Sequence, residues 1–255
     1  GSHYVIHAAS LKWITEVEYN VWEGIKTNVL GAQNIIEAAR DNNVEKVLAL
    51  STDKAVEPVN AYGMAKALQE RLITTANLYD NGTKTVFIST RYGNVLGSRG
   101  SVVPHFKSLL AQKKPLTVTD PSMTRFLLTL QESVQLVLFA LENGVGGEVF
   151  VRQMPAHTIS DLAQVMLETV PNGRVITTGI RPGEKTHELL VSHYESVRTV
   201  SVGDYYIILP QIEIPAATER YHRMKRVGTL RYGSDTTRRM SRDDLRRVLL
   251  KTGWI

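Results

Sequence analysis

The chain contains no cysteine among its 255 residues. Disulfide bonds, thiolate nucleophiles and cysteine-ligated metal sites are therefore excluded. The seven histidines show no ligand spacing, so we predict no metal site. No apolar run approaches the roughly 20 residues of a membrane-spanning helix, and we find no signal peptide. With 43% hydrophobic and 22% charged residues, the composition favours a globular, cytoplasmic protein that does not associate with membranes.

Positive charge is concentrated near the C-terminus. From Arg220 to Lys251 there are eleven Lys or Arg against three Asp, whereas the rest of the chain is slightly acidic. Basic segments occur in nucleic-acid-binding proteins, but this one has few aromatic residues, and Ser241-x-x-Asp244 resembles a helix capping box. We therefore favour a solvated face, with one or two arginines meeting a diphosphate, and expect no nucleic-acid partner.

Strand and helix patterns alternate along the first part of the chain. Short apolar runs predict buried strands at residues 4–9, 44–50 and 85–90, and longer periodic segments predict helices at residues 21–40 and 61–79. This βαβαβ order predicts an α/β fold with a doubly wound, parallel, Rossmann-like sheet. We expect residues 1–95 to form the nucleotide-binding part. Residues 96–255 are expected to form a smaller, interleaved substrate-binding region that also returns elements to the sheet.

Residues 51–66, STDKAVEPVNAYGMAK, follow the second predicted strand and combine several reactive side chains. Ligands bind at the carboxyl ends of strands in open α/β sheets, so we interpret this segment as an active site. Tyr62 and Lys66 stand one helical turn apart, where an ammonium lowers the pKa of a tyrosine and favours the phenolate. Asp53 and Lys54 are adjacent and offer a proton donor and a proton acceptor. A redox step and an elimination can then share one pocket.

The Tyr-x3-Lys pattern is weak by itself. Tyr221 and Lys225 repeat it in the basic segment, where no strand precedes them. Only the copy behind the Ser-Thr-Asp-Lys run is therefore interpreted as catalytic. Asp53 has the residue type of a helix N-cap, but Pro58 and Asn60 are better placed to begin the following helix.

A series of ordered motifs identifies the family that this chain resembles. They are HAAS, TNVLGAQN, STDKAVEPVNAYGMAK, RYGNVLGSRGSVVPHF, PLTVTDPSMTRF, GEVFV and GIRPGEKTHELL. Together they closely resemble the extended short-chain dehydrogenase/reductase family and, within it, the soluble UDP-N-acetylglucosamine 4,6-dehydratases. The resemblance covers the chain from Tyr4 to Pro210 and is weaker at the C-terminal helix.

The resemblance implies a mechanism with NADP (or NAD) as the cofactor and a UDP-sugar as the substrate. Tyr62 as phenolate removes the O4 proton while hydride leaves C4 for the nicotinamide. Lys54 removes the C5 proton, and Asp53 protonates the departing C6 hydroxyl. Thr52 hydrogen-bonds O4, and Lys66 holds the nicotinamide ribose and tunes Tyr62. The product is a UDP-4-keto-6-deoxy-HexNAc for surface glycans.

Further positions are assigned by the same resemblance. The residues expected on the cofactor side are Asn28, which is alternatively structural, Ser51, Ala8 and Ala9. The residues expected on the nucleotide-sugar side are Asn94, Arg99, Ser101, Arg125, Arg181 and Glu184. Among these, Arg125 and Arg181 suit a bidentate clamp on the diphosphate. A homo-oligomer is also expected, since relatives assemble through their long helices.

Several features depart from the family pattern. Family members begin with a strand and a glycine-rich turn that holds the cofactor pyrophosphate, whereas this sequence starts at what resembles the fourth strand. We therefore expect the chain to lack that N-terminal part. Tyr62 follows Asp53 by nine residues, as in the C5-inverting dehydratases, while residues 151–157 resemble dehydratases that also epimerise C3. A reductase or epimerase on this scaffold and a non-catalytic fragment remain alternative interpretations.

Overall fold

The computed structural model describes residues 1–78 and 84–255. They divide into two compact units. The first comprises Gly1–Tyr92, Gln131–Gln153 and Leu189–Tyr232, and the second comprises Gly93–Leu130, Met154–Glu188 and Gly233–Ile255. The first boundary follows Tyr92, whereas the sequence places it at residue 95. The chain returns to the first unit twice after leaving it.

The first 92 residues alternate strands and helices. Their elements are β1 (Tyr4–His7), α1 (Ile14–Tyr19), α2 (Val21–Ile25), a π-helical turn (Lys26–Leu30), α3 (Gly31–Asp41), β2 (Lys46–Thr52), a 3-10 turn (Asp53–Ala55), α4 (Ala61–Ala76) and β3 (Val86–Tyr92). The helix predicted for residues 21–40 is thus continuous but contains a π-helical turn. The end predicted for α4 at Tyr79 lies outside the described residues.

The rest of the chain contributes to both units. Its elements are β4 (Asn94–Val95), α5 (Val102–Ala111), β5 (Leu116–Val118), β6 (Thr124–Leu128), α6 (Leu130–Asn143), β7 (Val149–Arg152), β8 (Ala156–Thr158), α7 (Ile159–Leu167), β9 (Val175–Thr177), β10 (Leu189–Val191), α8 (His193–Ser196), β11 (Thr199–Val202), β12 (Tyr205–Ile208), α9 (Pro215–Tyr221), β13 (Tyr232–Gly233) and α10 (Arg242–Lys251).

A sheet is the centre of the first unit. In the described residues it has six strands in the order β1-β2-β3-β7-β12-β11. The first four are parallel to one another, and β12 and β11 are each antiparallel to their neighbour. The middle of β2 is fully buried, because helices α3 and α4 pack against it. This is the largely parallel, Rossmann-like arrangement that the sequence predicts.

The prediction that the first strand is buried is wrong. Tyr4 is 57% exposed and Ile6 is 50% exposed, because β1 is the end strand of this sheet and pairs only with β2 among the described residues. The apolar run therefore predicted the strand correctly but not its exposure to solvent. Burial depends on the neighbours that a strand receives, which the run itself does not encode.

The second unit has its own core and small sheets. β4, β6 and β8 form one sheet, β5 pairs with β9, and buried side chains of α5, α7 and α10 complete the core. Helix α10 begins at the predicted capping box, in which Ser241 accepts from the backbone N–H of Asp244 and the Asp244 carboxylate accepts in return. Gly97, with φ of +73°, leaves room for Trp254, whose ring a Cβ would approach to 2.1 Å.

Candidate active site

The end of β2 forms the acidic part of the site. Thr52 caps the 3-10 turn, and its hydroxyl donates to Oδ1 of Asp53 at 2.9 Å. Nζ of Lys54 donates to the same oxygen at 3.0 Å. The Asp53 side chain is 1% exposed, so the acid and the amine meet in a buried contact. Their closeness fits a pair that passes a proton between its members.

Helix α4 brings the phenol to this pair. Asn60 caps the helix as predicted, since its Oδ1 accepts from the backbone N–H of Gly63 at 2.7 Å. Gly63 then lies against the Lys54 carbonyl so closely that a Cβ would stand 2.2 Å from that oxygen. Because Tyr62 precedes Gly63, this approach sets the phenol beside the Asp53–Lys54 pair. Any larger residue at position 63 would push the helix away.

Tyr62 has opposing influences on its hydroxyl. Burial is the largest and raises its pKa. The Lys54 ammonium and hydrogen bonds with the hydroxyls of Thr52 and Ser10 lower the pKa, while the Asp53 carboxylate raises it. The cation acting on Tyr62 is therefore Lys54, whereas the sequence assigns this role to Lys66.

Lys66 is buried and directed back toward the sheet. Its Nζ donates to the Leu50 carbonyl at 2.6 Å and to Oε1 of Gln69 at 2.7 Å. Burial lowers its pKa to about 8, while Glu70 raises it. Lys66 thus lies under the carboxyl end of β2, one turn beyond Tyr62. Whether it also tunes Tyr62 stays a prediction.

Two residues of the loop after β1 also reach the site, and the sequence did not single them out. These residues are Ser10 and Lys12, and the side chain of Asn28, fully buried in the π-helical turn, holds their loop. Its Oδ1 accepts from the N–H of Leu11 at 2.9 Å and from the Ser10 hydroxyl at 3.0 Å. Its Nδ2 donates to the carbonyl of Leu11 at 2.9 Å. Asn28 therefore has the structural role that the sequence allowed for it. It holds Ser10 against Tyr62. Lys12 follows in the same loop, and its pKa is lowered by burial and by Lys54.

The HAAS stretch points to this loop, but the position of Ser10 depends on its hydrogen bond to Asn28. A π-helical turn is not visible in the apolar pattern, because the helix continues on both sides of it. Such turns occur frequently at functional sites. Here the turn directs the amide of Asn28 at the loop.

The residues at the strand ends fit a nicotinamide cofactor. Nε2 of His7 and Oγ of Ser51 are buried and have no hydrogen-bond partner among the described residues. Ala8 and Ala9 are exposed and carry no bulky side chain. Buried polar atoms of this kind need a partner. A nicotinamide or ribose group, rich in donors and acceptors, would supply one.

The expected nucleotide-sugar residues lie in the second unit. Oδ1 of Asn94 and Oγ of Ser101 are buried without a partner within the described part of the chain, which fits a ligand-facing role. Arg99 and Arg181 are exposed. Glu184 accepts from the backbone N–H of Arg181 at 3.2 Å and so shapes the turn that presents this arginine.

Arg125 differs from the expected diphosphate clamp. Its guanidinium is buried and donates to the carbonyls of Thr124, Lys185 and Thr186 at 2.8 to 3.0 Å. Its Nε is also 3.8 Å from Glu188. These contacts use the donors that a diphosphate would need. Arg125 instead ties β6 to the segment before β10, and the clamp remains a prediction for Arg181.

Three arginines of α10, in the basic C-terminal segment, pair with acids of the second unit. Arg242 contacts Asp161, Arg246 contacts Glu168, and Arg247 contacts Asp244. These exposed local pairs are in keeping with a solvated face.

The described residues contain neither a metal-binding cluster nor a membrane-spanning helix. No group of three or more His, Asp or Glu side chains is positioned to hold a metal ion in this part of the chain. Among the helices of residues 1–78 and 84–255, none combines the length and apolarity needed to cross a bilayer.

A largely parallel sheet with a Tyr-x3-Lys helix at its carboxyl edge defines the extended short-chain dehydrogenase/reductase class, with a Rossmann-like fold. The model of the polysaccharide biosynthesis protein family matches residues 1–210. The chain belongs to this family, which places it among enzymes of the nucleotide-sugar dehydratase and epimerase type.

Two relatives that align with the whole chain carry the same name. UDP-glucose 4-epimerase of Rickettsia bellii (strain RML369-C) is 43% identical over 259 residues, which cover 100% of this chain and 76% of the relative. The protein of that name from Rickettsia akari (strain Hartford) is 44% identical with the same coverage.

Solved structures agree with this assignment. Pen from Bacillus thuringiensis is 36% identical with a TM-score of 0.91, over 99% of this chain and 76% of Pen. The dTDP-glucose 4,6-dehydratase DesIV from Streptomyces venezuelae, solved with NAD bound, has a TM-score of 0.66 at 20% identity over 72% of this chain and 62% of DesIV. At that identity the likeness to DesIV shows the fold alone.

Proposed function

We propose that the protein is a UDP-N-acetylglucosamine 4,6-dehydratase that inverts C5 and makes a UDP-4-keto-6-deoxy-HexNAc for glycan synthesis. The observation that carries this proposal is the buried contact between Asp53 and Lys54 beside Tyr62. Elimination of water across C5 and C6 needs a base for the C5 proton and an acid for the hydroxyl. Simple hydride exchange at C4 needs neither.

The contact can provide both groups from one proton. When that proton moves across the 3.0 Å separation from Lys54 to Asp53, an ion pair becomes a neutral amine and a carboxylic acid. The ion pair supplies the Lys54 ammonium during oxidation, and the neutral pair is needed afterwards, at the elimination step. The neutral amine is the base that C5 requires. The acid is the donor that the C6 hydroxyl requires.

The remaining steps are assigned to neighbouring side chains. Tyr62 takes the proton from O4, and the Thr52 hydroxyl orients that oxygen. Lys66 would hold the ribose of NADP or NAD, with Ser51 and His7 beside it. The chemistry that this cofactor would supply when bound is hydride transfer, from C4 and back to C6. We also expect a homo-oligomer and a cytoplasmic location.

A UDP-glucose 4-epimerase is the second candidate. It is favoured by the names of relatives at 43% and 44% identity. An epimerase would use Tyr62 and Lys66 but would not need an acid and base pair directed at C5 and C6. The Asp53–Lys54 contact therefore supports the dehydratase over the epimerase.

The two candidates predict different products. The purified protein, supplied with NADP or NAD, would be incubated separately with UDP-N-acetylglucosamine and UDP-glucose, and the products analysed by mass spectrometry and NMR. The dehydratase converts the first sugar into a 4-keto product lighter by one water. A product of unchanged mass with inverted C4 would contradict the proposal and establish the epimerase.

A further inference from the structure

Arg91 is a buried cation that the proposed mechanism does not use. It lies at the end of β3, beside Ser51 in the strand register, and is 2% exposed. Its guanidinium donates twice to Glu70, at 3.0 and 2.7 Å, and twice to Glu195, at 3.1 and 3.0 Å. A fifth bond, at 2.7 Å, goes to the Leu190 carbonyl. All the N–H donors of an arginine are thereby used.

The two carboxylates around Arg91 come from different elements. Glu195 belongs to α8, where it also completes a capping box with Ser192. Glu70 belongs to α4 and lies one helical turn beyond Lys66. Because both oxygens of Glu70 are bonded to Arg91, its carboxylate has a fixed orientation within reach of Lys66.

Lys66 needs such a neighbour. Its side chain is nearly fully buried, and its two hydrogen-bond acceptors named above, the Leu50 carbonyl and the Gln69 amide, are neutral. Burial pushes its pKa down to about 8, and Glu70 acts in the opposite direction. His7 of β1 also faces it, and the pKa of His7 is lowered by burial and then by the charge of Lys66. Glu70 is thus the acidic group that offsets both burial and this neighbour.

We propose that Glu70, oriented by its two bonds to Arg91, is the countercharge that keeps Lys66 cationic in the active site. Glu70 is a positioning residue, since it acts on the reaction only through Lys66. The inference rests on the proposed function, in which Lys66 binds the cofactor ribose as an ammonium. It adds a pH limit to that function, because deprotonated Lys66 loses a donor and its charge.

The test is a titration of Lys66 that needs neither substrate nor cofactor. The ε-methylene resonance of Lys66 would be followed by NMR in protein labelled with 13C-lysine and assigned with Lys66→Met. Glu70→Gln should lower the midpoint by roughly one pH unit, the lower end of the shift caused by a nearby opposite charge. Glu195→Gln is the matched control, because it removes a carboxylate from Arg91 and leaves Glu70 in place. Its midpoint should stay at the wild-type value.

Two results would overturn the inference. One is a wild-type midpoint in Glu70→Gln, and the other is an equal shift in Glu195→Gln, which would show general loosening. If Glu70→Gln does not fold, Glu70→Asp and Glu195→Asp replace the pair. A lower midpoint in Glu70→Asp supports the inference, and equal midpoints contradict it.

The titration is independent of the product formed, so its failure and that of the proposed function are distinguishable. In active protein, the alkaline limb of the rate profile should move with the Lys66 midpoint in Glu70→Gln. A limb that stays in place while the midpoint moves would contradict the link between Lys66 and turnover.

Discussion

The chain carries the Tyr-x3-Lys pattern twice, and the two tyrosines have different neighbours. Burial and the Asp53 carboxylate raise the pKa of Tyr62, while the Lys54 ammonium and the hydroxyls of Thr52 and Ser10 act against that rise. The Tyr221 hydroxyl donates to the buried carboxylate of Glu148 at 3.2 Å. Burial and Glu148 raise the pKa of Tyr221 and outweigh Arg220, which lowers it.

The lysines differ in the same way. Lys66 is buried below the strand end, whereas Lys225 is exposed. Glu148 also accepts from the backbone N–H groups of Val145 and Gly146, so Tyr221 completes the bonding of a buried acid. Equal spacing therefore supports two different roles. Whether a buried phenol is reactive or structural depends on the charges of its neighbours and on whether its hydrogen bonds favour the phenolate or the neutral phenol.

The largest expected effect separates the two tyrosines directly. Tyr62→Phe removes the group that takes the O4 proton, and turnover should fall by about 10²–10⁴-fold or more, because oxidation precedes elimination. Tyr221→Phe should keep the wild-type rate per folded molecule. Initial rates of UDP-N-acetylglucosamine consumption provide the measurement. Equal losses in both variants would remove the distinction.

Asp53→Asn tests the neighbour that makes the first site reactive. The amide keeps the shape of the side chain but cannot protonate the C6 hydroxyl, so dehydration should fall by about 10²–10⁴-fold. UDP-sugar affinity, measured by calorimetry, should remain close to wild type. Wild-type turnover in this variant would refute the role of Asp53 as the acid.

The structural role of Tyr221 predicts a loss of stability. Tyr221→Phe deletes a hydrogen bond to the buried Glu148 carboxylate, and bonds to charged groups contribute about 1.5–3 kcal/mol. Urea unfolding should show a decrease of that size in the free energy of unfolding. The free energy of unfolding should decrease less in Tyr62→Phe, because the hydrogen-bond partners of Tyr62 are the neutral hydroxyls of Thr52 and Ser10. A larger loss in Tyr62→Phe would reverse this part of the comparison.

The lysines predict a smaller, pH-dependent difference. Burial lowers the folded-state pKa of Lys66 from 10.5 to about 8, so the folded protein releases this proton before the unfolded chain does. The stability contributed by Lys66 should rise between pH 8 and 10.5, by at most about 1.4 kcal/mol per pH unit. Lys66→Met should lack this slope, whereas Lys225→Met should retain it. Identical pH dependence in the two variants would argue against a buried, depressed Lys66.

Local patterns in the sequence were sufficient for much of the fold. The strands around residues 44–50 and 85–90 and the helix beginning near Ala61 are present, as are the caps at Asn60 and Ser241. These features could be predicted because the spacing of apolar residues and the capping residues that determine them lie within a few positions of each other in the sequence. The clustering of Thr52, Asp53, Lys54 and Tyr62 also followed, since one strand end and one helix bring them together.

Features that depend on distant partners were not predicted. The exposure of β1 depends on its position at the end of the sheet, and the carbonyls that occupy Arg125 come from residues 185 and 186. The contact of Ser10 with Tyr62 requires the amide of Asn28 to hold the loop. The Glu70–Arg91–Glu195 network joins the consecutive elements α4 and β3 to α8, which lies about a hundred residues further along the chain. Residue types alone do not specify such pairings.

The fate of the C5 hydrogen tests the central claim, that Asp53 and Lys54 act together on C5 and C6. The reaction with UDP-N-acetylglucosamine would be run in heavy water and the product examined by NMR and mass spectrometry. We predict a 4-keto-6-deoxy sugar with deuterium at C5, inverted configuration there, and the original C4 hydrogen at C6. Lys54→Ala should prevent deuterium from entering C5. A product that keeps its original hydrogen at C5 would contradict the dehydratase assignment, and exchange with retained configuration would contradict the inversion alone.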